Sequence, residues 1–221
     1  MITLFLSTAT RQTELAVLQK NPTADEQPST ILLHETWEAH ANEAEQLFPR
    51  IQKLLKTVPK IHKIIAIQGP GSFTGLRIGV TIANTLAFAQ KSELYALDTF
   101  SYFRLQVAPE QQPHTAILLK SGSQNYSLLI PGEEISQAHR LHHDEIIDYL
   151  TSKNLKYFIG DLNQEDQTYI SKNTQLLPAP ATPFIQLLQK KQFPELEPVK
   201  TIEPIYLAAP GITQSKKKTY I

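Results

Sequence analysis

Apolar residues in the first hundred positions fall into two patterns, runs of strand length and stretches at helical spacing. Ile2-Thr3-Leu4-Phe5-Leu6 predicts a first strand, broken by Ser7-Thr8-Ala9-Thr10. Glu14-Leu15-Ala16-Val17-Leu18 predicts a second, close enough to pair with it as a hairpin. A polar, proline-bearing loop then leads to a third, Thr30-Ile31-Leu32-Leu33-His34-Glu35. Over residues 39–57, Ala44, Leu47, Phe48, Ile51, Leu54, Leu55 and Val58 recur at three- and four-residue steps, which predicts a long amphipathic helix. Pro49 lies inside it and predicts a kink, or two segments that abut. Ile64-Ile65-Ala66-Ile67 is the next strand. From Arg77 to Gln90 the chain reads as helix, with Ile78, Ile82, Leu86 and Ala89 on one face. Leu94-Tyr95-Ala96-Leu97 is a short strand, and Asp98-Thr99-Phe100 starts a helix to about Val107, capped by Asp98 or Thr99.

Residues 109–113 are polar and carry two prolines, and they predict a boundary between lobes 1–107 and 108–221. The second lobe opens with strands at 115–119 and 126–130 around a Ser-Gly-Ser turn. A helix at 143–152, a strand at 156–161 and a helix at 182–191 follow. Ile202-Glu203-Pro204-Ile205-Tyr206-Leu207 reads as an extended closing segment. A hairpin, crossover helices and further strands together predict α/β architecture in two lobes.

Composition narrows the chemistry. Lys plus Arg and Asp plus Glu each number 21 in 221 residues, so the net charge is zero, against a chain that holds nucleic acid by itself. The dense basic run Lys216-Lys217-Lys218 reads as a solvated tail. The chain has no cysteine, which excludes disulfides, thiolate metal sites and cysteine nucleophiles. No apolar run reaches the roughly 20 residues of a membrane span, and a soluble, cytoplasmic protein is expected.

Between the fourth strand and the following helix stands Gly69-Pro70-Gly71-Ser72-Phe73-Thr74-Gly75-Leu76-Arg77. Ser72 and Thr74 can cap the helix. A strand, a glycine-rich turn and a helix N-terminus form the geometry that cradles an anion, and equally an ordinary tight turn. No Lys-Ser or Lys-Thr follows the glycines, so this is not a Walker A loop. Glycines at 69, 71 and 75 also fail the G-x-G-x-x-G spacing of the dinucleotide fingerprint.

The run from Gly69 to Gly79 resembles, almost letter for letter, the signature of the TsaB (YeaZ) family. Glu38-Ala39-His40 through Leu47-Phe48-Pro49, Leu94 to Ser101, and Glu203-Pro204-Ile205-Tyr206-Leu207 are similar to further family pieces in the same order. The resemblance is strong over 1–107, patchy over 108–195 and local again at the end. It implies the two-lobed actin-like, sugar-kinase and Hsp70-type ATPase fold. It also implies a part in making threonylcarbamoyladenosine beside the anticodon of tRNAs reading A-starting codons. There a TsaD-like subunit carries the transfer chemistry, a TsaE-like ATPase cycles the complex, and TsaB binds and supports TsaD.

On that analogy the helices near 39–57 and 77–90 form the contact face. Ala44, Leu47, Phe48, Ile51, Ile82, Ala83, Leu86 and Ala87 are its candidate residues, although the same stripes also suit a core. The signature residues Gly69, Pro70, Gly71, Ser72, Phe73, Thr74, Gly75 and Arg77 are candidates for a nucleotide or an interface contact. Arg77 could meet a phosphate or pair with a partner's carboxylate. ATP and a metal are expected in the partner subunits and no cofactor on this chain alone. tRNA is reached only through the complex, a homodimer is possible in isolation, and no membrane is involved.

Active members of the superfamily place an aspartate at the end of the first strand, and here that position is Ser7. A neutral hydroxyl cannot replace a carboxylate's charge toward Mg²⁺. The family's Ile-Asp-Ala-Arg stretch opening the second lobe is also missing, since 117–122 read Ile-Leu-Leu-Lys-Ser-Gly. His34 and His40 are six apart and do not form the His-x-x-x-His pair of the family's catalytic subunit. His139, His142 and His143 would share a face if helical, a conceivable metal site beside the simpler reading of a solvated helix start. A non-catalytic partner subunit is the favoured expectation, with a stand-alone nucleotide-dependent enzyme of the same fold as the alternative.

Overall fold

The computed structural model describes residues 1–21, 27–38, 42–122, 124–190 and 196–207. The first lobe is built from β1 (Ile2–Ser7), β2 (Gln12–Gln19), β3 (Thr30–Glu38), α1 (Glu43–Thr57), β4 (Lys63–Gly69), α2 (Phe73–Gln90), β5 (Glu93–Asp98) and α3 (Thr99–Leu105). The elements that follow repeat that order: β6 (Thr115–Lys120), β7 (Asn125–Leu129), β8 (His139–His142), α4 (His143–Thr151), β9 (Tyr157–Asp161), α5 (Gln164–Thr174) and β10 (Leu177–Pro178) form the second lobe, and α6 (Phe184–Lys190) comes after them. A final strand, β11 (Pro198–Val199), follows.

The sheets run β3-β2-β1-β4-β5-β11 and β8-β7-β6-β9-β10. In each, the first strand of the lobe lies antiparallel to the second and parallel to the fourth. One five-stranded topology is thus used twice, and that duplication is the actin-like ATPase fold.

Apolar side chains alternate across the sheets because strand residues point to opposite faces. Leu4 and Leu6 face α1 and α2 in one core cluster, while Phe5 faces α6 and α3 in another. In the second lobe, Ala116, Leu118, Tyr126 and Leu128 pack against α4 and α5. Phe100 and Phe103 of α3 meet Ile117, Leu119 and Leu129 on the opposite face, so α3 lies between the two sheets. Each fully buried Leu or Phe contributes about 1.5–3 kcal/mol.

Several expectations need correction. Among the described residues, the second lobe does not extend through 184–202. α6 packs on the first lobe's sheet, β11 pairs antiparallel with β5, and Ile202 enters the first lobe's core. Pro49 lies within one continuous α1 rather than between two segments. Helix α2 starts at Phe73, four residues before the apolar pattern shows it, because Ser72 accepts from Gly75 N–H at 3.2 Å and caps it there. Ala89 is exposed, not part of the inner face. His139–His142 is a strand, so the three histidines do not share a helical face. Residues 39–41, including His40, and the basic run 216–218 lie outside the described residues. Among the described residues no helix is long and apolar enough to cross a membrane.

Candidate functional site

The signature turn is closed by the chain itself. Ser72 N–H donates to the Ala9 carbonyl at 2.7 Å, and Thr8 Oγ1 donates to the Gly75 carbonyl at 2.7 Å. A Cβ at Gly71 would overlap the Ala9 carbonyl, one at Gly75 the Thr8 carbonyl, and one at Gly79 the Thr8 side chain. The glycines therefore let the exit of β1 seat against the first turns of α2. The free N–H groups of a helix start attract anions, and here a backbone carbonyl oxygen stands among them. Thr74 is exposed in the first turn and does not cap.

The closing segment docks on the same turn. Ile205 N–H donates to the Gln68 carbonyl at 2.7 Å, and the Ile205 carbonyl lies 2.5 Å from where a Cβ on Gly69 would sit. Gly69 has φ +107°, a region that side-chain-bearing residues avoid. Asn84 on α2 holds Ile202 through both of its backbone groups, each at 2.9 Å. Tyr206 then lies against Phe73, ring centroids 5.0 Å apart, and Arg77 stacks over Phe73 at 4.2 Å.

Toward the second lobe, Ser7 is buried and its Oγ has no hydrogen-bond partner. Across the ladder from it, Glu14 is buried too. Both carboxylate oxygens of Glu14 are engaged: His34 Nε2 lies 2.9 Å from Oε1, and Tyr102 O–H donates to Oε2 at 2.9 Å. Burial, and then the Glu14 charge, hold the Tyr102 hydroxyl well above its ordinary range. At the end of β9, Asp161 accepts the Arg11 N–H at 3.0 Å, a bond between lobes. Burial raises the Asp161 carboxyl above its usual range despite that bond.

A raised carboxyl holds its proton in the folded chain after the unfolded chain has released it. Stability therefore falls as pH rises through the window above the ordinary carboxylate value. Asp161→Asn, which keeps an acceptor for Arg11, is expected to hold or raise stability at pH 7 and to flatten its decline from roughly pH 4 upward. Denaturant midpoints measured across that range check this, and a less stable variant at pH 7 overturns it.

Most of the expected contact residues turn inward. Leu47, Ile51, Ile82, Ala83, Leu86 and Ala87 belong to the first lobe's core, and Ala44 is half-buried. Phe48, 58% exposed, is the one large member of that set left on the surface. The inward six lie on the sheet side of their helices, where periodicity alone marks an apolar face without saying what covers it. Phe88, absent from the set, is 89% exposed.

The second lobe holds a polar cluster that the sequence did not disclose. Asp166 Oδ1 accepts from Lys120 Nζ at 2.6 Å and from Tyr126 O–H at 2.6 Å, and its Oδ2 has no partner. Burial and the Asp166 contact push the Tyr126 hydroxyl far up. His143 stacks on Tyr169 at 4.1 Å, and its Nδ1 lies 3.3 Å from the Tyr126 oxygen. Lys120, Asp166, His143 and Tyr169 line an open groove of ≈ 610 Å³. His139 pairs with Glu133 and His142 with Asp144, so each has its own acid. Among the described residues no three His, Asp or Glu side chains are placed to hold a metal ion.

The class is that of a duplicated actin-like fold whose signature turn is filled by its own backbone. The family model "TsaD: tRNA N6-adenosine threonylcarbamoyltransferase" matches residues 35–182, and the chain belongs to that family. Among solved structures it is similar to YeaZ from Pseudomonas aeruginosa, at 21% identity over 63% of each chain with a TM-score of 0.45. The chain thus spans 63% of the length of that YeaZ structure. An exopolyphosphatase from Cytophaga hutchinsonii matches at 8% identity over 72% of this chain and 66% of the other, TM-score 0.40. Thermus thermophilus RuvC matches at 12% over 46% and 66%, TM-score 0.37. No curated protein matches the chain.

Proposed function

We propose that this chain is the non-catalytic partner subunit of the complex that adds a threonylcarbamoyl group to adenosine beside the anticodon in tRNAs reading A-starting codons. It binds and supports a TsaD-like catalytic subunit. A TsaE-like ATPase supplies the nucleotide cycle, the metal and ATP sit in those partners, and tRNA is met through the assembly.

The observation that carries this reading is the Ala9 carbonyl bonded to Ser72 N–H, where a nucleotide phosphate would need the helix start. Ser7 in place of a carboxylate, and a Glu14 whose oxygens are already bonded, support it further. The contact face is formed by outward positions: Phe48 and Leu55 on α1, and Thr81, Thr85 and Phe88 on α2. Exposed large apolar side chains grouped on neighbouring helices mark such surfaces.

Light scattering after size-exclusion chromatography, with the TsaD-like subunit of the same genome, tests the proposal. Wild type is expected to give a heterodimer. Phe88→Glu is expected to weaken it tenfold or more, by about 1.4 kcal/mol, with an unchanged melting temperature. Leu86→Glu would instead place a charge in the core and unfold the lobe, so it cannot serve as the test. Failure of wild type to associate under any nucleotide condition overturns the reading.

A further inference from the structure

The fold accounts for the glycines and the serine of the signature turn. It does not account for Phe73 and Arg77, which point outward. Arg77 is exposed and makes no ion pair or hydrogen bond among the described residues; its one contact is the Phe73 ring beneath it. We infer that Arg77, held on Phe73, which in turn packs on Tyr206, is a preformed anchor for a carboxylate on a helix of the partner protein. This rests on the partner-subunit reading above.

Three observations carry it. First, the anchor is built on fixed supports. Phe73 follows the Ser72 cap directly, and Tyr206 follows Ile205, which Gln68 holds. A guanidinium stacked by its face keeps its edge N–H donors free, and its planar fork fits a carboxylate with two parallel bonds. Second, the outward positions of α2 after the turn are Thr74, Arg77, Thr81, Thr85, Phe88 and Ala89. Arg77 is the one formal charge among them and is unpaired among the described residues, so an anion on the complementary surface is the matching group. Third, Arg77, Thr81, Thr85 and Phe88 follow at steps of four, four and three along one side of α2, a line of about 16 Å. A helix laid along that line would meet neutral groups throughout and place one acid at Arg77.

A phosphate backbone is the weaker match. Thr74, Thr81 and Thr85 give Arg77 no second cation, and nucleic acid is held by several. Exposed arginine and aromatic side chains together are also the residue types that dominate protein interfaces.

Calorimetric titration of Arg77→Ala, Arg77→Lys and Phe88→Ala with the TsaD-like subunit, at low and high salt, tests the inference. Arg77→Ala is expected to weaken association about thirtyfold and to flatten its salt dependence, with an unchanged melting temperature. Arg77→Lys is expected to recover only part of the loss, since an ammonium keeps the charge without the fork. Phe88→Ala is expected to weaken association while leaving the salt dependence intact. If wild type binds and Arg77→Ala binds equally well, the anchor is overturned and the partner reading stands. If Arg77→Ala leaves protein binding untouched but weakens binding of tRNA, the group reads phosphate and the inference fails. If wild type does not bind, both fall together.

Discussion

Gly75→Ala is expected to lower the stability of this protein by about 3 kcal/mol, and Gly79→Ala by less. The two glycines lie four apart on α2 and face the same neighbour, the turn that leaves β1. They meet different parts of it. A methyl at position 75 would run into the Thr8 carbonyl, which belongs to a backbone already fixed by the Ser72–Ala9 bond. A methyl at 79 would meet the Thr8 hydroxyl and methyl groups, which can move or be removed.

Thr8→Ala is therefore expected to recover part of the loss in Gly79→Ala and none of it in Gly75→Ala. Thr8→Ala alone forfeits the hydrogen bond to the Gly75 carbonyl, at about 1 kcal/mol. A double-mutant cycle built from urea midpoints separates these terms. Equal stabilities for Gly75→Ala and wild type would mean that α2 and the β1 exit do not touch.

Lys120→Ala is expected to destabilise the second lobe by about 3 kcal/mol, because it leaves the Asp166 carboxylate buried without a counter-charge. Tyr126 still donates to Oδ1, so the loss stays toward the lower end for a broken buried pair. Replacing both ions at once, Lys120→Met with Asp166→Leu, is expected to restore most of the stability. Hydrogen exchange places the effect: amides of β6, β7 and α5 lose protection, while those of β1 and β4 keep it. A single variant as stable as wild type would show that the pair is solvated and contributes little.

Much of the first lobe could be read from its sequence, because its strands are continuous apolar runs and its turns carry glycine, proline or a cap. The second lobe hides three elements, among them the two-residue β10. Helix α5 carries only Tyr169 and Ile170 as apolar residues, and it is held by the Asn163 cap and by packing of Ile170. Strand β8 carries only Leu141 as an apolar residue, half-buried at the edge of its sheet, too little for a strand pattern to show. Lys120, Tyr126 and Asp166 come from two strands and a helix, and no spacing announces them.

Helix α2 was legible as a helix but not in its orientation. Apolar residues lie around most of its circumference, so the period says little about which side faces out. Gly75 and Gly79 carried that signal: two glycines on one helical face mark where another backbone comes close. The contact residues expected on the opposite assumption fell into the core for this reason. Inward side chains at 82, 83, 86 and 87 leave Thr81, Thr85 and Phe88 as the side of α2 that solvent sees.

The return of the chain to its first sheet has a consequence for how the molecule can be cut. Val107 and Ala181 form an antiparallel bridge, and Thr182 N–H donates to the Gln106 carbonyl at 2.8 Å, so the outgoing and returning chains cross side by side. Everything between 108 and 180 is a cassette inserted at that crossing. Neither core cluster of the first lobe includes a residue from the cassette, and neither does any strand of its sheet. Splicing 107 directly to 181 would uncover Phe100 and Phe103 on α3 and remove the Asp161 tie to Arg11. It would leave the signature turn, the closing segment and the outward side of α2 on one self-contained unit.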